Sequence, residues 1–197
     1  KYSIIDEHSE NTKNNDKIIL VKNVLKCLQK LANFHRKKIN TKIIALTGSN
    51  GKTTTKELIK IVLEQKFKTI ATKGNLNNHI GVPLTILNIS EETEIGIIEM
   101  GANHKGEIKT LCEISMPNWG YITNFGKAHL EGFKNLKGVI EGKSELYNYL
   151  VEKNGKILIN SNDKTQLSQA YKFKKKKSFG NSKSCDFVFE FIPSKNE

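Results

Sequence analysis

Eight consecutive residues carry the densest chemistry in this chain: Thr47-Gly48-Ser49-Asn50-Gly51-Lys52-Thr53-Thr54. An apolar strand expected at 42–46 runs straight into them, and a helix is expected from 53 to 65. Strand, glycine loop, Gly-Lys-Thr and helix in that order are the context of a phosphate-binding loop. Glycines let backbone N–H groups turn toward phosphate oxygens, and a helix N-terminus adds the positive end of its dipole. Lys52 is expected to meet the β- and γ-phosphates of ATP, and the Thr53 hydroxyl to hold Mg²⁺. The motif is the shorter Gly-x-x-Gly-Lys-Thr form, because Leu46 stands where the longer pattern has its first glycine. The competing reading is an ordinary Gly-Asn turn, which the flanking strand and helix argue against.

Three further side chains sit where such a loop would need them. The apolar run 95–98 ends in Glu99. Ligands of open α/β sheets bind at the carboxyl ends of strands, so Glu99 is placed to bind Mg²⁺ opposite Thr53 rather than to be a solvated strand-end acid. His129 follows a strand expected at 121–124, which suits a metal or phosphate role, although a lone loop histidine is more often structural. Lys143 lies in a helix expected at 135–150, in the middle of the stripe formed by Val139, Ile140, Leu146, Tyr147 and Leu150. A lysine there is costly unless it is paired, modified, or able to snorkel to water. The polar segment 74–81, with Asn77, Asn78 and His79, precedes another helix and can contact substrate, or can be a plain turn.

The elements that must position these residues alternate. A short buried strand is expected at 18–21. A helix follows at 23–38, with Val24, Leu25, Leu28, Leu31, Ala32 and His35 on its apolar face. Strands are then expected at 42–46, 69–71, 95–98, 121–124, 156–159 and 187–191. Helices are expected at 53–65, 82–89, 106–115, 135–150 and 163–171. This alternation predicts an α/β fold: a mostly parallel sheet with helices on both faces, of the P-loop mononucleotide-binding type.

Composition narrows the function. The 197 residues carry a formal charge of +12, and 37% of them are hydrophobic. The charge is spread along the chain and Arg36 is its only arginine, whereas nucleic-acid readers favour arginine for bidentate contacts. The run 174–177 reads as a solvated basic edge. No apolar run approaches the roughly 20 residues that cross a bilayer. Cys27, Cys112 and Cys185 are far apart, without metal or disulfide spacing, as expected of a reducing cytoplasm.

Four segments make the chain resemble the Mur ligase family: 45–56, 74–85 (Gly-Asn-Leu-Asn-Asn-His-Ile-Gly-Val-Pro-Leu-Thr), 98–104 (Ile-Glu-Met-Gly-Ala-Asn-His) and 128–133 (Ala-His-Leu-Glu-Gly-Phe). The first is shared with folylpolyglutamate synthases. The second and third are particular to the member that joins D-alanyl-D-alanine to UDP-N-acetylmuramoyl-tripeptide. The resemblance implies an ATP-dependent ligase that forms a C–N bond through an acyl phosphate. It implies triphosphate and Mg²⁺ at Lys52 and Thr53, with Gly48, Ser49, Asn50, Gly51 and Thr54 around the nucleotide, and Glu99 on the same metal. It implies a second Mg²⁺ at His129 and a carbamylated Lys143. Asn77, Asn78 and His79 are expected at the substrate. Residues 1–22 are expected to be the tail of a UDP-substrate domain, 23–40 a connecting helix, and 41–197 an incomplete central ATP-binding domain. A closing C-terminal domain is expected outside the sequence, so that the chain alone binds nucleotide without completing ligation. A monomer without nucleic-acid or membrane partners is expected. Another Mur step, a folylpolyglutamate synthase-like ligase and a basic nucleotide- or nucleic-acid-binding module are the alternatives.

Overall fold

The structure is a computed structural model that describes residues 1–7, 15–126 and 130–190. Strands β1 (Ser3–Ile5) and β2 (Ile18–Leu20) pair with each other in parallel and form a small sheet of their own. Helix α1 (Val24–Lys38) follows, started by Asn23, whose side chain accepts from the Lys26 N–H. Then strands and helices alternate: β3 (Lys42–Thr47), α2 (Lys52–Glu64), β4 (Thr69–Ala71), α3 (Gly81–Leu87), β5 (Ile95–Glu99), α4 (Glu107–Ser115), β6 (Trp119–Ile122), α5 (Leu130–Phe133), α6 (Leu136–Glu152), β7 (Lys156–Asn160), α7 (Lys164–Ala170), β8 (Lys176–Gly180) and β9 (Phe187–Val188).

The seven strands from β3 onward form one sheet in the order β4-β5-β3-β6-β7-β8-β9, with every pair parallel. Its central strands are nearly all apolar because both faces are covered. Ile43 and Ala45 of β3 join the larger core with residues of α3, α4 and α6, whereas Leu46 joins a second cluster with Ile97, Ala71 and, from α2, Ile59 and Leu63. Alternate residues of one strand thus serve opposite faces. Gly120 lets α6 approach β6 closely, since a Cβ there would overlap Leu150 Cδ1. Beside α2, an apolar groove of about 590 Å³ lies over the sheet, lined by Leu58, Val62, Trp119, Tyr121, Leu158 and Phe187.

Several sequence expectations change. Residues 18–20 are not buried: among the described residues β2 pairs with β1 alone, and Ile19 and Leu20 are half exposed. The inner face of α1 is rotated, so that Leu31 is exposed while Ala32 and Arg36 are buried. Strand β6 begins two residues earlier than expected and β9 is shorter. Lys176 and Lys177 belong to β8, paired in register with Ile157 and Leu158, although their side chains stay in solvent.

Arg36 explains the rotation of α1. Its Nε donates to Ser115 O (2.7 Å), and its terminal nitrogens donate to Met116 O (3.1 Å), Ile39 O (3.3 Å) and Asn118 Oδ1 (3.4 Å). Ser115 ends α4, so the guanidinium caps orphan carbonyls at the negative end of that helix dipole. Asn118 Oδ1 also accepts from Ile43 N–H at 2.8 Å, which carries the tie into β3. Arg36→Ala is expected to destabilise the chain by about 2–4 kcal/mol, because several buried carbonyls lose a charged donor. Arg36→Lys should recover little of this, since an ammonium cannot span the same acceptors. Denaturant midpoints of the two variants check this.

Candidate active site

The loop after β3 is built by two glycines. Gly48 has φ 149° and no room for a side chain, because a Cβ would overlap Thr123 Oγ1. Gly51 has φ 74° and starts α2 without a side-chain cap. The N–H groups of Lys52, Thr53 and Thr54 therefore open the helix with no intrahelical acceptor. These donors, together with the dipole of a 13-residue helix, make an anion-binding edge.

The end of β6 braces the same loop. Ser49 N–H donates to Asn124 O (3.2 Å), and Asn50 N–H donates to Asn124 Oδ1 (3.1 Å). Thr123 Oγ1 and Asn124 Nδ2 donate to Asn50 O at 2.6 and 3.0 Å. Ser49 Oγ donates to Gly126 O at 2.8 Å. Ser49 and Asn50 thus spend these groups inside the protein, and the free donors belong to the helix start. Thr53 and Thr54 are exposed there. Lys52 is half-buried and donates to Gly48 O (2.9 Å) and Ser49 O (3.3 Å). Desolvation lowers its pKa, and the charge of Glu99 partly opposes that shift.

Glu99 is not solvated. It is 1% exposed and sits opposite Leu46 in the β3–β5 register. Its N–H donates to Thr72 Oγ1 (3.0 Å), and its Oε1 accepts from Asn77 Nδ2 (2.8 Å). Its Oε2 has no hydrogen-bond partner among the described residues, and neither has the buried hydroxyl of Thr47. Two unsatisfied buried oxygens at the ends of adjacent strands are expensive unless a ligand answers them. They suit a hard cation, which takes oxygen ligands. Among the described residues no group of three His, Cys, Asp or Glu side chains gathers as a metal site. A Mg²⁺ held by one carboxylate, a hydroxyl and phosphate oxygens needs no such group.

A crevice of about 670 Å³ opens beside Lys52, lined among others by Asn77, Asn78, His79, Gly101 and Asn103. Asn77 O accepts from Gly101 N–H at 2.8 Å, which joins the two loops. Asn78 Oδ1 accepts from the N–H groups of Ile80 (3.0 Å) and Gly81 (2.9 Å), and so steadies the start of α3. His79 is exposed, and its carbonyl accepts from Gln29 of α1. Of the three expected substrate contacts, Asn77 and Asn78 are thus engaged internally, and His79 has its side chain in solvent. At the start of α4, Glu145 of α6 accepts from Gly106 N–H (2.6 Å) and Lys109 N–H (2.9 Å).

Lys143 is 1% exposed, which removes the snorkelling alternative. Its Nζ lies 5.7 Å from the centre of the Phe133 ring. Desolvation, with help from the charge of Lys52, lowers its pKa to about 8. Lys52 therefore feels both Glu99 and Lys143, which puts the three groups in one electrostatic neighbourhood. His129 lies outside the described residues.

Sequence reasoning gave no role of their own to three contributors: Thr47, which it named only as part of the loop, Asn124 and Lys56. Lys56 is fully buried and lies three and seven residues before Ile59 and Leu63, on the stripe that α2 turns to the sheet. The periodicity that singled out Lys143 could have found it.

A parallel α/β sheet whose central strand feeds a Gly-x-x-Gly-Lys-Thr loop and a helix is a P-loop nucleotide-binding architecture. The chain belongs to the Mur ligase family: residues 46–195 match the Mur ligase middle domain. It is 38% identical over 192 residues to the UDP-N-acetylmuramoyl-tripeptide–D-alanyl-D-alanine ligase of Bacillus subtilis, covering 98% of this chain and 41% of that protein. It is 39% identical over 150 residues to the enzyme of that name from Escherichia coli, covering 76% and 33%. Among solved structures it resembles MurF of Thermotoga maritima in complex with ADP, with TM-score 0.83, 32% identity, and 95% and 43% coverage. MurF of Acinetobacter baumannii gives TM-score 0.81 at 33% identity, with 91% and 39% coverage. The chain thus spans less than half the length of these relatives. Among the described residues no helix is long and apolar enough to cross a membrane.

If the Thr47 hydroxyl is kept for a ligand, Thr47→Val should stabilise the ligand-free chain by up to about 1 kcal/mol, by removing an unsatisfied buried oxygen. The same change should weaken Mg²⁺-dependent nucleotide binding. Thermal unfolding and a nucleotide titration check the two halves.

Proposed function

We propose that this chain is the nucleotide-binding part of an ATP-dependent amide ligase, and that the whole enzyme adds D-alanyl-D-alanine to UDP-N-acetylmuramoyl-tripeptide through an acyl phosphate. The observation that carries this reading is the pair of unsatisfied oxygens, Glu99 Oε2 and Thr47 Oγ1, beside a glycine loop with free helix N–H donors. The names of the relatives support the choice of substrates over another Mur step or folylpolyglutamate synthesis. The ADP complex of the Thermotoga maritima relative supports a nucleotide at the loop. We assign the enzyme to the cytoplasm, in keeping with three free cysteines.

In this reading the N–H groups of residues 52–54 hold phosphate oxygens, and Lys52 exchanges its own-loop carbonyls for the β- and γ-phosphates. Thr53 and Glu99 would hold Mg²⁺, which supplies neutralisation of phosphate charge when bound. His129 and a carbamylated Lys143 would hold a second ion. Burial supports the carbamate. A pKa near 8 leaves more of the Lys143 amine neutral, and only the neutral amine combines with CO₂. Carbamylation turns a disfavoured buried cation into an anionic oxygen ligand. Asn77 orients Glu99, and His79 faces the crevice that would take the substrates. The domain division follows the same logic. The separate β1–β2 sheet supports 1–22 as the tail of a UDP-substrate domain, with the segment 23–40, which contains α1, as the connector to the ATP-binding domain that begins at 41.

Two experiments test this. Lys52→Ala should lose about tenfold or more in affinity for Mg-ADP while its circular dichroism stays unchanged, because Lys52 faces the loop and not the core. Binding equal to the parent chain would refute the loop assignment. With ¹³C-bicarbonate, the parent chain should give a carbamate carbonyl signal that Lys143→Ala and Lys143→Arg both lack. The same signal in either variant, or none in the parent, would remove the carbamate from the mechanism.

A further inference from the structure

Lys56 is the second largest fully buried side chain in the protein, after Tyr147. An ammonium so placed is costly unless it is fully paired. Its ammonium donates to Thr72 O at 2.6 Å and Gly74 O at 3.2 Å, and it forms an ion pair with Glu57 Oε1 at 2.9 Å. A fourth oxygen, Glu99 Oε2, lies 4.0 Å away, too far for a hydrogen bond but close enough to feel the charge.

These contacts converge on one carboxylate by two routes. Thr72, held through its carbonyl, accepts the Glu99 N–H on its Oγ1. Gly74, held through its carbonyl, starts the loop that brings Asn77 to Glu99 Oε1. The Lys56 ammonium itself faces Oε2. We propose that Lys56 is a positioning residue for the metal-binding carboxylate. It fixes the strand end and the loop that aim Glu99, and it offsets the buried charge without occupying the oxygen the cation needs. Held by the Thr72 and Gly74 carbonyls and drawn to Glu57, the ammonium stays 4.0 Å from Oε2 and leaves that oxygen without a hydrogen bond.

The inference rests on the reading of the chain as a Mg-nucleotide binder, and a fluorescent ADP analogue separates the two. The unsubstituted chain should bind it more tightly with Mg²⁺ than with chelator. No difference would overturn the parent reading and this one with it. Given a difference, Lys56→Met should bind in chelator to within about twofold of the parent and lose about tenfold or more of the Mg²⁺ enhancement. Glu99→Gln should likewise lose most of the Mg²⁺ enhancement. In the Lys56→Met/Glu99→Gln double variant the losses should not add, which is the signature of one residue acting through the other. A residue that only supports the fold would lower binding with and without Mg²⁺ equally, and its loss would add to that of Glu99→Gln. Either result overturns the proposal, as does full Mg²⁺ enhancement in Lys56→Met. If Lys56→Met does not fold, Lys56→Gln, which keeps a donor for Thr72 O, carries the same comparison. Failure of both to fold would make Lys56 a core residue and refute the assignment.

Discussion

A carboxylate buried at the end of a central strand is the constraint around which this domain is arranged. Glu99 is 1% exposed in a protein whose other acidic side chains mostly face water. Burying such a group costs several kcal/mol unless its surroundings answer it. The answer comes from four segments: Thr72 at the end of β4, Asn77 in the next loop, Lys56 on α2, and the loop around Lys52. Only a parallel sheet brings these together, because it sends every strand end, and every following loop, to the same edge. The order β4-β5-β3-β6 sets Glu99 beside the glycine loop on one flank, while Thr123 and Asn124 brace that loop from the other.

What was legible in the sequence was what is local. The glycine loop is contiguous, so its chemistry and its context are read together. Glu99 stands out because an apolar strand ends in it. Lys143 stands out because helical periodicity places it among apolar neighbours, and the structure buries it. Lys56 obeys the same periodicity with Ile59 and Leu63, yet it sits in a polar run, Thr53-Thr-Thr-Lys-Glu57, that looks solvated. Its acceptors lie 16 and 18 residues further on, in a loop whose path no pattern announces. Arg36 was hidden in the same way. It resembles the basic end of an amphipathic helix, and the carbonyls it binds at Ser115 and Met116 lie about 80 residues away. The polar loop 74–81 was legible only in part. A loop that approaches a buried site must first satisfy its own backbone, so Asn78 became a cap for α3 and Asn77 a brace. The short outer strands β8 and β9 are held by their neighbours rather than by propensity, which is why two lysines could enter one of them.

The formal charge of +12 looks different once the residues are placed. Arg36, Lys56 and Lys143 are buried, and the basic run 174–177 is exposed at the edge of the sheet rather than gathered on the crevice. The sole guanidinium is committed to helix carbonyls. The excess charge therefore marks no surface with the forked donors that base or phosphate-backbone recognition favours.

Three lysines around one site show how proton supply sorts function within a single residue type. Lys56 is buried, donates to two carbonyls and is paired with Glu57, so on the proposed reading it contributes charge and fixed geometry rather than a contact to a ligand. Among the described residues Lys52 donates to carbonyls of its own glycine turn, at 2.9 and 3.3 Å, bonds that on the proposed reading a phosphate oxygen would replace, because a charged acceptor is the stronger one. Lys143 has an aromatic ring beside it, a second lysine nearby and almost no water, and its pKa falls toward neutrality. Its surroundings favour the neutral amine. On the proposed reading the same ammonium is thus made a strut, a phosphate clamp or the nucleophile that takes up CO₂. What decides among them is how many acceptors the fold brings within hydrogen-bond reach and how much water it leaves.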